Sequence, residues 1–463
     1  MRGFTRIIMT AILMTCAASY TFGQGLSARR RDAVSMSVND SIQDLNRSDT
    51  ALLGMERRLQ YYTNKRKLTD QEKADYSTIC NDLAILHRQN NRLEIAEQFY
   101  ETAYHLRKEL VEKSPKYTPL WADILNNYGL YFIDVNDCDL AIYYLNKALE
   151  IRLNSNDDTT QSAPTDAKII ADNYDNLAYA FYKAHNTHEA AINYEKSRAI
   201  RRKLVLDSDQ PERYIGDYIS TMQNLASLYK QDNHAIDALA AMIELRETLT
   251  QLRADSPSEY LDQIASAQHN TALLYGMLNQ KAQAADAMNI AIKDYNILAL
   301  EDRDKYLPEV ASALNQAANY YADLGDYANA EKYYKKALDI NTKLYAEHLI
   351  NPADMAGNLN NLGRMYYDQS KMEEAKNCYI KAKKIFDTDD SMDIKSVLIK
   401  AMTDINIVMY YIYEKNSGID NEEYSNCPKT LTETIMNLRP YLYNQSANYY
   451  YDYAKKLLET ITK

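Results

Sequence analysis

Seven small residues stand at almost regular intervals along the chain: Ala84, Gly129, Ala178, Ala226, Ala272, Ala318 and Gly363, separated by 45, 49, 48, 46, 46 and 45 residues. Twelve residues after each comes another small residue: Ala96, Ala141, Ala190, Ala238, Ala284, Ala330 and Ala375. Three residues after the first set stands a ring: His87, Phe132, Phe181, Tyr229, Tyr275, Tyr321 and Tyr366. Four after the second set stand Tyr100, Leu145, Tyr194, Met242, Met288, Tyr334 and Tyr379, and three further on Ala103, Ala148, Ser197, Leu245, Ala291, Ala337 and Ala382. Offsets of three and four share one helix face, so each unit predicts two amphipathic helices whose small residues permit close approach while the large ones fill the space beside them. A pattern that recurs in tandem overrides the length prior, by which 463 residues would suggest about three domains of roughly 150 residues.

Between the two helices of each unit, seven positions after the first small residue, stand Asn91, Asn136, His185, Asn233, Asn279, Gly325 and Ser370. Five are Asn or Gly, which tolerate the left-handed conformation that ends a helix. With only 11 Gly and 9 Pro, and 41 Tyr, the chain has little turn chemistry for hairpins, and its 46% hydrophobic content is that of a folded protein. The expectation is nearly all helix.

These units resemble the tetratricopeptide repeat, whose pattern has small residues at unit positions 8, 20 and 27 and aromatics at 11 and 24. The resemblance covers about Thr69 to Asp387, with His87 as the ring of the first unit. Its departures are Leu145, Met242 and Met288 at position 24 and Ser197 and Leu245 at 27, so the fourth and fifth units are expected to pack differently. The long period, and phrasing such as Glu309 to Ile340, are similar to kinesin light chain repeats. The fold implied is all-α: a right-handed α-solenoid of about seven helix-pair repeats with N- and C-terminal capping helices. Pro308 and Pro352 stand where a first helix should start.

The expected layout is a signal peptide over 1–23, a helical cap or half repeat over 24–68 around Ala51 and Met55, seven repeats over 69–388, and a degenerate eighth repeat with capping helices over 389–463. At the start, Arg2 and Arg6 precede an apolar run from Ile7 to Ala18, followed by small residues suited to cleavage after Ser19 or Gly23. Export across the cytoplasmic membrane is therefore expected, with a periplasmic or secreted destination. The rival, a lipid anchor on Cys16, is disfavoured by Thr15 before it. The run SVLIKAMTDINIVMYYIYEKN is interrupted by Lys400, Asp404 and Asn406 and is not read as a membrane span.

Removing 1–23 deletes two arginines and no acids, moving the formal charge from −11 to −13. Nucleic acid is excluded as a partner on that balance, and a basic partner fits it. Cys80, Cys138, Cys378 and Cys427 have no metal-ligand spacing, and Cys378 with Cys427 is the first pair to consider for a disulfide if they are not lone thiols. His185, His188 and His234 occupy successive inter-helix turns, where a polar turn is the simpler reading than zinc. The chain has no HExxH, GxSxG, P-loop or GxGxxG, so no cofactor and no enzyme activity are expected.

Function is sought on the first helices, which line the inner surface of such a stack. Two positions before the first small residue stand Asp82, Asn127, Asn176, Asn224, Asn270, Gln316 and Asn361, and one earlier Asn126, Asn315 and Asn360 widen the polar strip, with Asp175, Gln223 and His269 varying it. A carboxamide both donates and accepts, so a row of them could hold an extended peptide by its main chain, or could instead satisfy backbone groups between neighbouring helices. The resemblance implies the former, since Asn at that unit position often contacts bound peptide. Tyr179, Tyr182, Asn319, Arg364 and Tyr367 fall where groove side chains would select a partner. The family's carboxylate clamp is absent: its lysine positions hold Asp123, Asp172, Ser266 and Ser312, and Asn126, Asp175, His269 and Asn315. Arg88, Lys183, Lys230 and Arg364 read as isolated, solvated cations. The leading expectation is a non-enzymatic scaffold for a peptide or protein segment. The alternatives are a glycan-binding surface lipoprotein, for which Trp121 is the one tryptophan, and a sensor or adapter acting through a separate signalling protein.

Overall fold

A computed structural model of the chain describes residues 55, 58–155, 164–253, 258–386 and 393–462. The expected signal peptide, Cys16, Ala51 and nearly all of the N-terminal half repeat lie outside the described residues. Among those residues the regular structure is helical, with no strand.

The chain forms two compact units that divide between residues 241 and 242. In the first lie α1 (Asp70–Gln89), α2 (Leu93–Lys113), α3 (Thr118–Asp134), α4 (Cys138–Ser155), α5 (Pro164–Lys183), α6 (Thr187–Asp207) and α7 (Ile215–Gln231). Helix α8 (Ala235–Leu252) contains the division. In the second lie α9 (Leu261–Met277), α10 (Lys281–Glu301), α11 (Arg303–Asp323), α12 (Tyr327–Ala346), α13 (Pro352–Asp368), α14 (Met372–Phe386), α15 (Ile394–Asn416), α16 (Cys427–Leu438) and α17 (Gln445–Ile461). Within each unit the helices pack as consecutive pairs, α1 on α2 through α5 on α6 in the first and α9 on α10 through α13 on α14 in the second. The chain is an all-α stack of helix pairs. Within each unit some odd-numbered helices also touch the next odd-numbered helix, as α1 does α3, α3 does α5 and α11 does α13. α15 takes the place of a further first helix against α13, and α16 and α17 pack on it and on each other.

The repeated residues explain this packing. All seven alanines of the second small set are fully buried, as are the five alanines of the first set. Gly129 and Gly363, which complete that set, are buried too. Leu145, Met242 and Met288 are as buried as the tyrosines they replace, so an unbranched or γ-branched side chain fills the same hole. The other ring behaves differently. Of the seven, only Phe132 and Tyr366 are buried, while the rest are half-buried. Their phenol tips reach the preceding even helix: Tyr229 donates to Glu195 at 2.9 Å, Tyr366 to Glu331 at 2.9 Å, and Tyr321 accepts from Asn289 Nδ2 at 2.8 Å. An amphipathic ring covers apolar surface and keeps its hydroxyl near water.

The pair Tyr320–Tyr321 corrects a simple reading of the ladder. Tyr320, one residue before the ladder ring, is the buried one at 3% exposure, and its hydroxyl donates to the Ala272 carbonyl at 3.2 Å. It can do so because Gly276 presents no side chain: a Cβ there would lie 2.7 Å from the Tyr320 oxygen. Pro308 is a second correction. It lies inside α11 rather than at its start, because Asp302 caps the helix six residues earlier, accepting from Lys305 N at 3.2 Å, and the extra turn buries Tyr306. Pro352 does stand at the first position of α13, behind the Asn351 cap.

Every inter-helix turn has one form. Asn91, Asn136, His185, Asn233, Asn279, Gly325 and Ser370 all have φ between 57° and 81°. The next residue's N–H returns to the carbonyl of the ladder ring, as from Arg92 to His87 at 2.8 Å and from Lys371 to Tyr366 at 2.9 Å. This is the Schellman closure, in which a left-handed residue lets the chain reverse and satisfies two end carbonyls. The ring position is therefore fixed twice, by its side chain in the groove between helices and by its carbonyl in the turn.

Two stability predictions follow from these turns and contacts. Gly325→Ala, where nothing crowds an added Cβ, should lose about 1 kcal/mol through left-handed strain alone, and Ser370→Gly should gain a similar or smaller amount. Urea midpoints shifting in opposite directions at unchanged slope would show this. Gly276→Ala should cost more, about 1–3 kcal/mol, because the buried Tyr320 ring must move, and it should shift the melting temperature down.

Candidate functional site

The polar strip on the odd helices is built by register. In the first unit Asn127 Nδ2 donates to Asn81 Oδ1 at 3.0 Å, and Asn176 Nδ2 to Asn126 Oδ1 at 3.1 Å. In the second unit Asn361 Nδ2 donates to Asn315 Oδ1 at 3.3 Å, and Asn406 Nδ2 to Asn360 Oδ1 at 3.2 Å. Each bond joins the residue two before the small position of one repeat to the residue three before it in the preceding repeat. A second strand of the same pattern comes from five positions before: Thr221 Oγ1 to Asp175 at 2.8 Å, Asn358 Nδ2 to Asn315 at 3.2 Å, and Asn360 Nδ2 to Thr403 Oγ1 at 2.7 Å. The carboxamides thus form a ladder that ties neighbouring repeats together. The bonds run from side chain to side chain, not to the backbone groups that the second of the two sequence readings named.

That ladder sorts the candidate residues. Asn360 is 1% exposed and uses its amide on Thr403 and the Ala356 carbonyl and its oxygen on Asn406, so it has nothing left for a partner. Asn126, Asn127, Asn176 and Asn315 are half-buried; Asn126 and Asn127 engage both the amide and the oxygen, Asn176 its amide nitrogen, and Asn315 its oxygen. Asn224 and Asn270 are also half-buried, one in each unit, and make no side-chain hydrogen bond to described residues. Tyr179, 37% exposed, lies alongside Tyr182 with centroids 6.5 Å apart, and Tyr182 donates to Gln231 at 3.0 Å. Tyr367 is half-buried, its ring 6.4 Å from that of Tyr413.

The second unit gathers three of the candidates in one place. Gln316, Asn319, Asp323, Asn361, Arg364 and Asp368, from α11 and α13, line a cleft of about 50 Å³ with Tyr334 of α12 at its side. Asn319 is held by its neighbours, donating to Gln316 at 3.3 Å and accepting from the buried Tyr334 hydroxyl at 2.5 Å. Arg364, with its side chain 21% exposed, approaches only Asp368 among the described residues, at 3.8 Å from Nε. Asp323 is paired to the buried Lys281 at 3.2 Å.

The first unit replaces amides by charge. Arg201, 4% exposed, contacts Asp172 at 2.6 Å, Asp175 at 2.7 Å and Asp217 at 3.4 Å, and Lys168 joins Asp172 and Asp217. Arg152 holds Asp123 at 2.9 Å and Asn173 at 2.9 Å, and Arg107, 2% exposed, donates to the Leu120 carbonyl at 2.8 Å and to Ser77 at 3.1 Å. These three arginines were missed in the sequence, although each stands four residues after the third small position, at spacings of 45 and 49 that match the ladder. The expected isolated cations need correction in part. Lys183 is exposed, but Lys230 is half-buried, with its ammonium pushed down to about 8 by desolvation, and Arg88 has its Nε buried beside an ion pair to Asp134 at 3.4 Å.

His188 and His234 border a second cleft, over Ile192 and Leu228, in which His185 takes no part. No group of three or more His, Cys, Asp or Glu placed to hold a metal occurs among the described residues. The four cysteines are free, including Cys378 and Cys427, and burial pushes those two thiols up to about 11. Trp121 packs at 4.9 Å on Tyr104. Among the described residues no helix is long and apolar enough to cross a membrane.

His269 continues the strip in the second unit but is 3% exposed, and desolvation pulls its imidazole down to about 4. Its folded form is neutral, so the unfolded chain binds the proton better: stability is complete above about 6.5 and falls by up to about 3 kcal/mol as pH drops to 4. His269→Gln should remove that part of the acid sensitivity in melting curves taken between pH 7 and 4.

Two tetratricopeptide repeat family models match the chain, over residues 309–385 and 77–115. The comparison with curated proteins returned no match. Similar solved structures include BtubC of P. vanneervenii, with 21% identity over 59% of this chain and 91% of that one and a TM-score of 0.40. The nearly identical TPR-like repeats assigned to a kinesin light chain of P. anserina share 18% identity over 49% and 99%, with a TM-score of 0.37. The apo quorum sensor NprR of B. thuringiensis shares 15% identity over 84% and 98%, with a TM-score of 0.35. With the repeated residues buried in consecutive helix pairs, the chain carries tetratricopeptide repeats over residues 77–115 and 309–385.

Proposed function

We propose that the chain is an exported, non-enzymatic scaffold that holds a peptide or protein segment against the odd helices. Tetratricopeptide repeats are protein-binding scaffolds, and the observation that carries the reading here is the cleft between α11 and α13. There, carboxamides already fixed by ladder bonds present their remaining donors and acceptors beside the guanidinium of Arg364. Side chains held by their neighbours lose little entropy on binding, so several such contacts suffice for micromolar affinity, about −8 kcal/mol. Export rests on the first 23 residues, with a periplasmic or secreted destination ahead of an anchor on Cys16. A basic segment suits the net charge. Glycan binding is disfavoured because Trp121 is half-buried against Tyr104.

The test is retention of a random hexapeptide pool by the immobilised chain. Asn270→Ala combined with Asn319→Ala should cut retention by about tenfold, a loss of one or two hydrogen bonds, whereas Asn296→Ala on the even helix α10 should leave it unchanged. Equal retention by both variants would remove the odd-helix face from the proposal. Export predicts that the N-terminus recovered outside the cytoplasm begins at Tyr20 or Gln24.

A further inference from the structure

The charges around the α11–α13 cleft balance in pairs. Arg364 faces Asp368, and Asp323 faces Lys281, whose side chain is 9% exposed. Arg364 makes no hydrogen bond to a described residue, and the five donors of its guanidinium are open to whatever enters the cleft it lines. Its 3.8 Å approach to Asp368 is longer than a hydrogen bond. What would satisfy it is an acceptor arriving in the cleft.

The identity of that acceptor follows from the other walls. A carboxylate could bind Arg364, but it would enter between Asp323 and Asp368, and like charges at such distances repel. An ammonium or guanidinium could meet those acids but would face Arg364. An uncharged group carrying both a carbonyl and an amide N–H meets neither repulsion: its oxygen accepts from Arg364 while its nitrogen donates toward Asp368 or the Asn361 oxygen, whose amide nitrogen is already turned to Asn315. The cleft, of about 50 Å³, has room for one such group. We propose that this cleft is a selectivity pocket for the side-chain carboxamide of a glutamine or asparagine in the bound segment. This rests on the reading that the odd helices bind a peptide, and it adds which side chain is chosen.

The test uses the full mature chain and positional-scanning pools of acetylated, amidated hexapeptides, with one position fixed as Gln, Asn, Glu, Lys or Leu and the others randomised. The wild type should retain Gln or Asn pools at one position about tenfold better than Glu and Lys pools, the difference a charged, unmatched group produces. Arg364→Met keeps the stem and removes the donors, and should abolish the preference with the melting temperature held near wild type. Asp368→Asn, at the cleft's outer edge, should shift preference toward Glu. A preference for a charged pool in the wild type, or a Gln preference that survives both variants, overturns the pocket while leaving peptide binding intact. Retention of no pool by the wild type overturns both.

Discussion

The structure depends on buried positions where nothing larger than a methyl group stands between two helices. The alanines of both small sets have no measurable exposure, and those of the second set let a neighbouring helix come close enough for a tyrosine, leucine or methionine four residues further on to be enclosed. The backbone turn reinforces the same register, because the carbonyl that receives the Schellman bond belongs to the ladder ring. Packing and chain reversal therefore agree at every repeat, and a tandem array can form in which each pair needs only its neighbours.

Once that register is set, polar groups recur at fixed heights. This is why amides two and three positions before the small residue find each other across repeats, and why Arg107, Arg152 and Arg201 reach the following odd helix at Leu120, Asn173 and Asp217. The two units use the register differently. The first places aspartates against buried arginines, while the second keeps neutral amides and a buried, neutral His269. A neutral strip asks less desolvation of a partner than a network of ions.

Much of this was legible beforehand. The helix pairs, the buried alanines and the seven left-handed turns follow from residue spacing, since φ above zero and the absence of a side chain are local demands. Even His185 and Ser370 took the conformation that their alignment with Asn and Gly implied. Less legible was how each carboxamide spends its two groups. Asn360 and Asn361 differ by one position, yet Asn360 is consumed by Thr403 and Asn406 while Asn361 spends its amide nitrogen on Asn315 and borders the cleft. The identity of the buried ring was similarly hidden at Tyr320–Tyr321, where a glycine 44 residues earlier in the chain decided it.

The sequence by itself determined the repeat, its period, the turns and the set of faces that could bind, because each arises from interactions within a helix or between adjacent ones. Only the tertiary structure decided which polar side chains are used up in holding repeats together and which remain for a partner. Hydrogen bonds between residues 43 to 50 positions apart depend on the rotation and height of one repeat over the next, and a single residue type carries no record of that placement.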